Sequence, residues 1–318
     1  MNTQPHSDRL MVDIGYIGSK FRFGFVDAFD NIVIPHKYKL AFNFSEGLAA
    51  VEDESGYYGF INEKDQTIIP FKYKFAHSFS EGLAAVKGER RRYGYINKKG
   101  ETIIPFEYDS AHPFSEGLAA VRGENDRFGY INAKGETVIP FIYNFAGPFS
   151  EGLAAVKDDN DLYGFVDASG NLVIPHKYDY VKDFSEGLAA VIDENDHFGY
   201  INAEGETVIP FIYSYAGPFS EGIAIVKRKA TDKNILFLDR SGKALSLGDY
   251  SYASDCHNGT FAVEKNDRYG IIDKKGNILA DFIYESTQPF NSDGIALVTL
   301  DGKTFQITRD GEEYIQDL

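Results

Sequence analysis

Few side chains in this sequence have the types and spacing of a catalytic or metal-binding site. Cys256 and His257 are adjacent, and such a pair can act as nucleophile and base. The sequence has seven histidines but no Gly-x-Gly-x-x-Gly or Walker-type sequence that would bind a phosphate. Glutamates recur every 35 residues, and paired carboxylates can transfer protons or bind calcium. These glutamates are Glu46, Glu81, Glu116, Glu151, Glu186 and Glu221.

The glutamates belong to a repeat that extends over nearly the whole chain. A second string, aromatic-Gly-aromatic-Ile/Val-Asn/Asp, alternates with Phe-Ser-Glu-Gly, and we count nine copies of it, some degenerate. We therefore predict a single array of about nine units over residues 1–318. Residues 1–9 are expected to be a disordered tail, and residues 227–318 to hold degenerate copies. Phe-Ser-Glu-Gly begins at Phe44, Phe79, Phe114, Phe149, Phe184 and Phe219.

Alignment of the copies gives the chemically suggestive residues structural roles. Cys256 falls at the position of Phe219, and adjacent strand residues point to opposite faces, so we predict no catalytic residue. Glutamates one repeat apart are separated by about 10 Å or more if the sheets stack, which is too far to share a cation. A turn in which Ser or Glu bonds a local backbone N–H explains them better. We predict no metal, no cofactor and no enzymatic activity.

The copy at residues 114–149 indicates what one unit forms. Residues 117–122, 127–132 and 136–139 are short apolar or aromatic runs, which predict three β-strands. A hairpin turn with Gly135 in the left-handed region is expected between the second and third strands. Pro140 is expected to end the third strand because it cannot donate to a ladder. The remainder is irregular or holds a short fourth strand. The predicted fold class is all-β, with tandem 35-residue repeats of antiparallel three- to four-stranded units.

Units of this size must stack to bury their apolar faces. We therefore expect the six phenylalanines of Phe-Ser-Glu-Gly to be buried against the next unit. We favour an open β-solenoid or superhelical array, because the two ends of the chain contain similar strands and because nine exceeds the usual four to eight blades of a propeller. The alternative is a closed β-propeller-like ring.

The repeated strings resemble the bacterial WG-containing repeat, also called the KWG repeat. The family strings that the copies resemble are Phe-x-Glu-Gly-Leu-Ala-x-Val, Trp-Gly-Tyr-Ile-Asp and Gly-x-x-Val-Ile-Pro-x-x-Tyr, and the resemblance extends from Phe23 to about Asp273. The resemblance implies a bacterial β-repeat protein that binds other macromolecules and has no common catalytic activity. It supplies no functional residues. The Trp that names the family is replaced by Phe23, Tyr58, Tyr93, Phe128, Tyr163, Phe198 and Tyr269.

Charge and composition disfavour several classes of partner. The sequence has 32 Lys and Arg against 48 Asp and Glu, a net charge of −16. Nucleic acids and anionic membranes require basic surfaces, so we expect neither as a partner. No run of 18 apolar residues occurs, so we expect no membrane insertion. The single cysteine and the lack of a leader-like segment in the given sequence suggest the cytoplasm.

The first hairpin tip of each copy varies most, and variable loops on one face of a repeat protein are often its binding face. We expect a non-catalytic scaffold that binds a protein through these tips. The same charges would also keep sheet edges from aggregating. The alternative function is binding of a carbohydrate or cell-surface glycan by exposed aromatic rings. The candidate tip residues are Glu52, Asp53, Glu54, Arg90, Arg91, Arg92, Asp158, Asp159, Asp161, Asp193, Glu194, Lys227, Arg228 and Lys229.

Overall fold

The computed structural model describes residues 10–17, 20–27 and 31–314. The predicted tail at residues 1–9 lies outside the described residues. Two compact units divide the chain: residues 1–161 with 166–171, and residues 162–165 with 172–318. The described residues contain no helix that is long and apolar enough to cross a bilayer.

The described strands form nine antiparallel sheets, each from one repeat. The first five are β1 (Met11–Ile17), β2 (Lys20–Val26), β3 (Ile32–Tyr38); β4 (Leu40–Ala41), β5 (Ala49–Glu52), β6 (Tyr58–Ile61), β7 (Thr67–Tyr73); β8 (Phe75–Ala76), β9 (Leu83–Lys87), β10 (Tyr93–Asn97), β11 (Thr102–Tyr108); β12 (Ser110–Ala111), β13 (Leu118–Arg122), β14 (Phe128–Asn132), β15 (Thr137–Tyr143); and β16 (Phe145–Ser150), β17 (Leu153–Lys157), β18 (Tyr163–Asp167), β19 (Leu172–Tyr178).

The other four sheets follow the same order. They are β20 (Tyr180–Val181), β21 (Ala189–Ile192), β22 (Phe198–Ile201), β23 (Thr207–Tyr213); β24 (Tyr215–Ala216), β25 (Ile223–Lys227), β26 (Leu236–Asp239), β27 (Ala244–Leu245); β28 (Tyr252–Ala253), β29 (Thr260–Lys265), β30 (Arg268–Asp273), β31 (Ile278–Tyr284); and β32 (Ser286–Thr287), β33 (Ile295–Leu300), β34 (Lys303–Thr308), β35 (Glu313–Tyr314). The all-β prediction is confirmed, and the predicted short fourth strand is the one that begins each four-stranded sheet.

Two hairpin turns set the register of each sheet. In the fourth sheet, β13 pairs with β14 so that Arg122 lies opposite Phe128. The tip that joins them places Asp126 at a φ of 62°, in the left-handed region. The next turn places Gly135 at a φ of 82°, and the Gly135 N–H donates to the carbonyl of Asn132 at 2.9 Å. The predicted turn with a left-handed glycine is confirmed.

The prediction that Pro140 ends the third strand of its copy is wrong. Strand β15 continues through Pro140 to Tyr143, and the register shifts on both sides of the Tyr130–Ile139 pair. Strand β15 is the edge of its sheet, where an N–H is not required, so proline is tolerated. The bulge brings the two backbones close, because a Cβ on Gly129 would lie 2.6 Å from the carbonyl oxygen of Ile139. The spacing of Gly and Pro that recurs in six repeats therefore marks one bulge, which also forms after Gly270, where Asp281 stands in place of Pro.

The hydrophobic core lies between consecutive sheets. In the first unit, Tyr130 of the fourth sheet packs on Phe149, with ring centroids 5.0 Å apart, and Ile139 and Val156 join the same cluster. In the second unit, Phe219 packs on Tyr200 at the same distance. Five of the six phenylalanines predicted to be buried are buried, and Phe44 is partly buried. The buried aromatic series is thus confirmed with one exception.

The predicted Ser-Glu-Gly turn is confirmed, but its Ser and Glu side chains bond the next repeat instead of the local backbone N–H that we predicted. Glu116 and Gly117 both have positive φ, as a two-residue hairpin loop requires. However, Ser115 Oγ donates to the carbonyl of Phe149 at 2.6 Å. The Glu116 carboxylate accepts hydrogen bonds from the backbone N–H groups of Glu151 and Gly152, at 2.7 and 2.9 Å. In the second unit, Ser185 and Glu186 bond Phe219 and Gly222 in the same way.

The favoured β-solenoid is wrong at the level of the sheets. Among the described residues, hydrogen-bonded ladders join only strands of one repeat. A solenoid extends its ladders from coil to coil, whereas propellers consist of separate four-stranded blades. The proline in the edge strand lacks an N–H and opposes continuation of the ladder. The sheets therefore match the blades of the propeller-like alternative.

Candidate interaction surfaces

The predicted tip residues lie in tight hairpin loops, and three of them shape the loop itself. Asp53 Oδ1 accepts the N–H of Tyr57 at 3.0 Å, and Asp158 Oδ1 accepts the N–H of Asn160 at 2.9 Å. Asp193 Oδ1 accepts two backbone N–H groups, at 3.0 and 3.1 Å. Burial alone would raise the pKa of Asp193, but these hydrogen bonds lower it. These three carboxylates therefore have a structural role in the turns.

Ion pairs join neighbouring tips in the first unit. Glu54 pairs with Arg22 at 2.6 Å, and the hydrogen bond from Arg22 lowers the pKa of Glu54. Arg92 pairs with Asp109 at 2.9 Å, within its own repeat, and with Glu124 of the next tip at 3.5 Å. Arg127 pairs with Asp159. We call the resulting surface, residues 53–57, 88–92, 123–127 and 158–161, the tip edge.

The remaining predicted residues differ in exposure and partners. Asp161 pairs with Lys157 of its own hairpin at 2.9 Å. Burial and then the Glu52 carboxylate raise the pKa of the Tyr58 phenol to about 12. The others are exposed or half-buried and form no ion pair within 4 Å with any side chain that the structure describes. They are Arg90 and Arg91 in the first unit and Glu194, Lys227, Arg228 and Lys229 in the second.

Two clefts on the tip edge were missed by the sequence interpretation. The first, of about 410 Å³, is lined by Lys72, Arg90 and Phe106 beside Gly88. We call it the basic cleft. Glycine stands there at the position that holds Asp53 in an earlier repeat. A Cβ on Gly88 would lie 3.0 Å from the Phe106 ring, so the missing side chain is what leaves room at the ring.

The second cleft, of about 490 Å³, lies one repeat further along the chain. Glu107, Glu124 and Phe141 line it beside Gly123, and we call it the acidic cleft. A Cβ on Gly123 would lie 3.1 Å from the Phe141 ring. The signal in the sequence was the change from Asp to Gly at two successive tips.

Half-exposed aromatic rings form a row in the second unit, where the short first strand of each of three sheets contains a tyrosine. Tyr180, Tyr215 and Tyr252 are 44%, 45% and 48% exposed. Phe198 lies between the first two, with ring centroids 6.2 Å from Tyr180 and 6.4 Å from Tyr215. The ammonium of Lys182 lies 5.1 Å from the centre of the Tyr215 ring. This row, unlike the buried phenylalanines, is available for stacking.

The environment of Cys256 opposes nucleophilic chemistry. Cys256 is buried at the position that holds phenylalanine in the adjacent repeats. Its Sγ lies 3.7 Å from a carboxylate oxygen of Glu221. Burial and then Glu221 raise the pKa of the thiol to about 12, so it is protonated at neutral pH. Over the described ranges, no group of three His, Cys, Asp or Glu side chains could hold a metal ion.

The sequence matches the WG containing repeat in seven stretches: residues 23–57, 58–87, 93–126, 128–160, 163–195, 198–229 and 269–303. The chain belongs to this family. In this WG repeat protein, Tyr93 and Phe128 precede the glycine of their repeats and are half-buried in the third strand of their sheets. The position needs a ring but not the indole, so Phe or Tyr can replace Trp. No curated protein matches the sequence.

Several solved structures are similar to the WG repeat protein. The computationally designed Ika8 protein is 9% identical, with a TM-score of 0.47, and the match covers 83% of this chain and 94% of Ika8. BamB from Moraxella catarrhalis is 12% identical, with a TM-score of 0.45, and the match covers 84% and 93%. The WD40 β-propeller domain of Doa1 is 11% identical, with a TM-score of 0.36, covering 71% and 89%. All three scores lie below 0.5.

Proposed function

We propose that this WG repeat protein is a non-catalytic scaffold that binds another protein through the tip edge of its first unit. The observation that carries the proposal is the set of ion pairs between successive tips. They hold Arg92 and Arg127 in place, so the charges of the edge are ordered before a partner arrives. A pre-ordered surface loses less conformational entropy on binding than free loops would.

Solubility is the competing explanation for charged tips, and one feature favours binding. Charges that only prevent aggregation need no apolar neighbours. Both clefts instead place a partly buried ring, Phe106 or Phe141, beside the tip charges. Apolar surface within a polar rim is the usual composition of a protein interface.

The test uses immobilised full-length protein to capture partners and then measures each purified partner by calorimetry. Arg90→Glu with Arg91→Glu should lower the affinity for a true partner by about tenfold. Charges at the rim of an interface each contribute modestly, and this variant reverses two of them. Lys134→Glu is the matched control, since this exposed lysine lies in the turn after β14, away from the tips. Equal binding by the wild type and the tip variant would refute the proposed surface.

A second candidate function is carbohydrate binding by the aromatic row of the second unit. The exposure of Tyr180, Tyr215 and Tyr252 supports it, because buried rings could not stack on sugars. A glycan array should then show a saturable ligand whose binding is lost in Tyr215→Ala with Tyr252→Ala. Absence of any saturable glycan in the wild type would exclude this function.

A further inference from the structure

We propose that the basic and acidic clefts together bind one extended peptide, which places an acidic side chain in the basic cleft and a basic side chain in the acidic cleft. This inference rests on the proposed function, because it names the partner chemistry of the same tip edge. The two clefts belong to successive repeats of the first unit, and glycine opens both of them.

The basic cleft offers unpaired positive charge. Within the described part of the chain, no carboxylate forms an ion pair with Lys72 or Arg90 within 4 Å. Glu89 and Arg92 also line this cleft, but Glu89 is paired with Lys74 at 3.5 Å and Arg92 with Asp109 at 2.9 Å, which leaves Lys72 and Arg90 in excess. A carboxylate entering the cleft would therefore gain two favourable contacts at a partly desolvated position.

The acidic cleft has the opposite sign. Glu107 and Glu124 both line it. Arg92 reaches the Glu124 carboxylate at 3.5 Å, a distance too long for a strong hydrogen bond, and also donates to the backbone carbonyl of Glu107 at 3.2 Å. Arg92 itself lines the basic cleft, and Asp109 pairs with it at 2.9 Å. A lysine or arginine side chain fits the remaining negative charge.

Each cleft also has an aromatic ring against which a side-chain stem can pack. Phe106 stacks on Tyr73 and Phe141 on Tyr108, with ring centroids 6.4 Å apart in both pairs. The methylene groups of Glu, Lys or Arg pack on such surfaces while their charged ends stay hydrated. A small inorganic ion would use the charges but not the rings.

Spacing decides the form of the ligand. Stacked sheets lie about 10 Å apart, and an extended chain advances about 3.3 Å per residue. Opposite charges three residues apart in an extended segment would therefore meet successive clefts. A nucleic acid does not fit, because its phosphates repel the acidic cleft.

The test measures binding of four fluorescent hexapeptides to the full-length protein by polarisation. Two carry Glu and Lys in either order, separated by two alanines, and two carry Glu twice or Lys twice. One mixed-charge peptide should bind about tenfold more tightly than both like-charged peptides, because each exposed charge pair contributes a few-fold. Equal binding of all four, or no saturable binding of any, would overturn the inference.

Two variants connect the result to the clefts. Gly88→Asp with Gly123→Asp fills both clefts with aspartate, the residue found at the equivalent position 53. This variant should abolish the preference for the mixed-charge peptide. Lys72→Glu with Glu107→Lys places one opposite charge in each cleft, beside Arg90 and Glu124, and should also abolish the preference. An unchanged preference in either variant would contradict the inference.

The same variants separate this inference from the proposed function. If Gly88→Asp with Gly123→Asp binds a captured partner normally while Arg90→Glu with Arg91→Glu does not, the tip edge binds protein and the clefts are not the peptide site. If both bind normally, both proposals fail.

Discussion

The carboxylate of Glu116 gives the sharpest test of how successive repeats are held together. If this residue served only its own turn, Glu116→Gln would be neutral, because the two side chains have the same length and similar backbone preferences. The structure instead shows the carboxylate accepting backbone N–H groups of the next repeat at 2.7 and 2.9 Å. The substitution therefore distinguishes a local turn from a connection between sheets.

The expected loss follows from the geometry of these two hydrogen bonds. Hydrogen bonds to a charged acceptor contribute about 1.5–3 kcal/mol when sheltered, and exposure of Glu116 reduces each to about 0.5–1 kcal/mol. Glutamine can accept one N–H through its single oxygen, but its amino group faces the other donor. We therefore expect Glu116→Gln to lower the free energy of unfolding by about 1 kcal/mol.

Two measurements check this expectation. Urea unfolding followed by far-UV circular dichroism gives the change in stability, and native-state hydrogen exchange gives the opening of the Gly152 N–H itself. Exchange at that amide should accelerate about fivefold, the equivalent of about 1 kcal/mol. Glu63→Gln is the matched control, since Glu63 lies in the turn after β6 and its carboxylate accepts no hydrogen bond from any residue that the structure describes. If Glu116→Gln and Glu63→Gln have the same free energy of unfolding, and exchange of the Gly152 N–H is unchanged, the hydrogen bonds of Glu116 to the next repeat do not contribute to stability.

Three further predictions concern the same architecture. Phe149→Ala should cost about 3–5 kcal/mol in urea unfolding, the usual loss for a buried ring, and a midpoint close to wild type would contradict burial. Burial would raise the pKa of Glu46, but hydrogen bonds from Lys98 and a backbone N–H lower it, so Glu46 stabilises the fold above its unfolded pKa and stops doing so as pH falls through the lowered value. The stability difference between wild type and Glu46→Gln should therefore shrink on acidification from pH 7, and a constant difference would rule this out. Gly129→Ala should be strongly destabilising because its Cβ would lie 2.6 Å from a carbonyl oxygen, whereas Gly147→Ala, with nothing nearer than 3.6 Å, should cost much less; equal melting temperatures would disprove the bulge argument.

The repeat could be recognised from the sequence because every copy forms its strands and turns from the same local residue pattern. The strand between Leu118 and Arg122 and the turn at Gly135 depend on residues close in the chain, and both were predicted. Pro140 was misjudged because its tolerance depends on which neighbour lies beside it. An edge strand and a central strand can have the same sequence and differ only in how many neighbouring strands pair with them.

The candidate surfaces were predicted in part. The tips were identified by their variability, and the structure places many of their charges in ion pairs or turns. The clefts were not predicted, because a glycine in a loop is compatible with many local structures. Only the position of the Phe106 ring next to Gly88 shows that this glycine opens a cleft. The exposed tyrosines were likewise hidden among many buried aromatics, because sequence periodicity does not tell which ring is covered.

The amino-acid sequence by itself determined the repeat length, the all-β class, the family and the buried aromatic series, because these follow from local pattern and from hydrophobic residues recurring in register. Tertiary structure alone decided that the sheets stay separate, that Ser115 and Glu116 bond the following repeat, and that glycines at two tips open clefts of opposite charge. The physical reason is that hydrogen-bond partners, neighbouring rings and exposed charges belong to pairs of residues about 35 positions apart, and their meeting depends on how one folded repeat packs on the next.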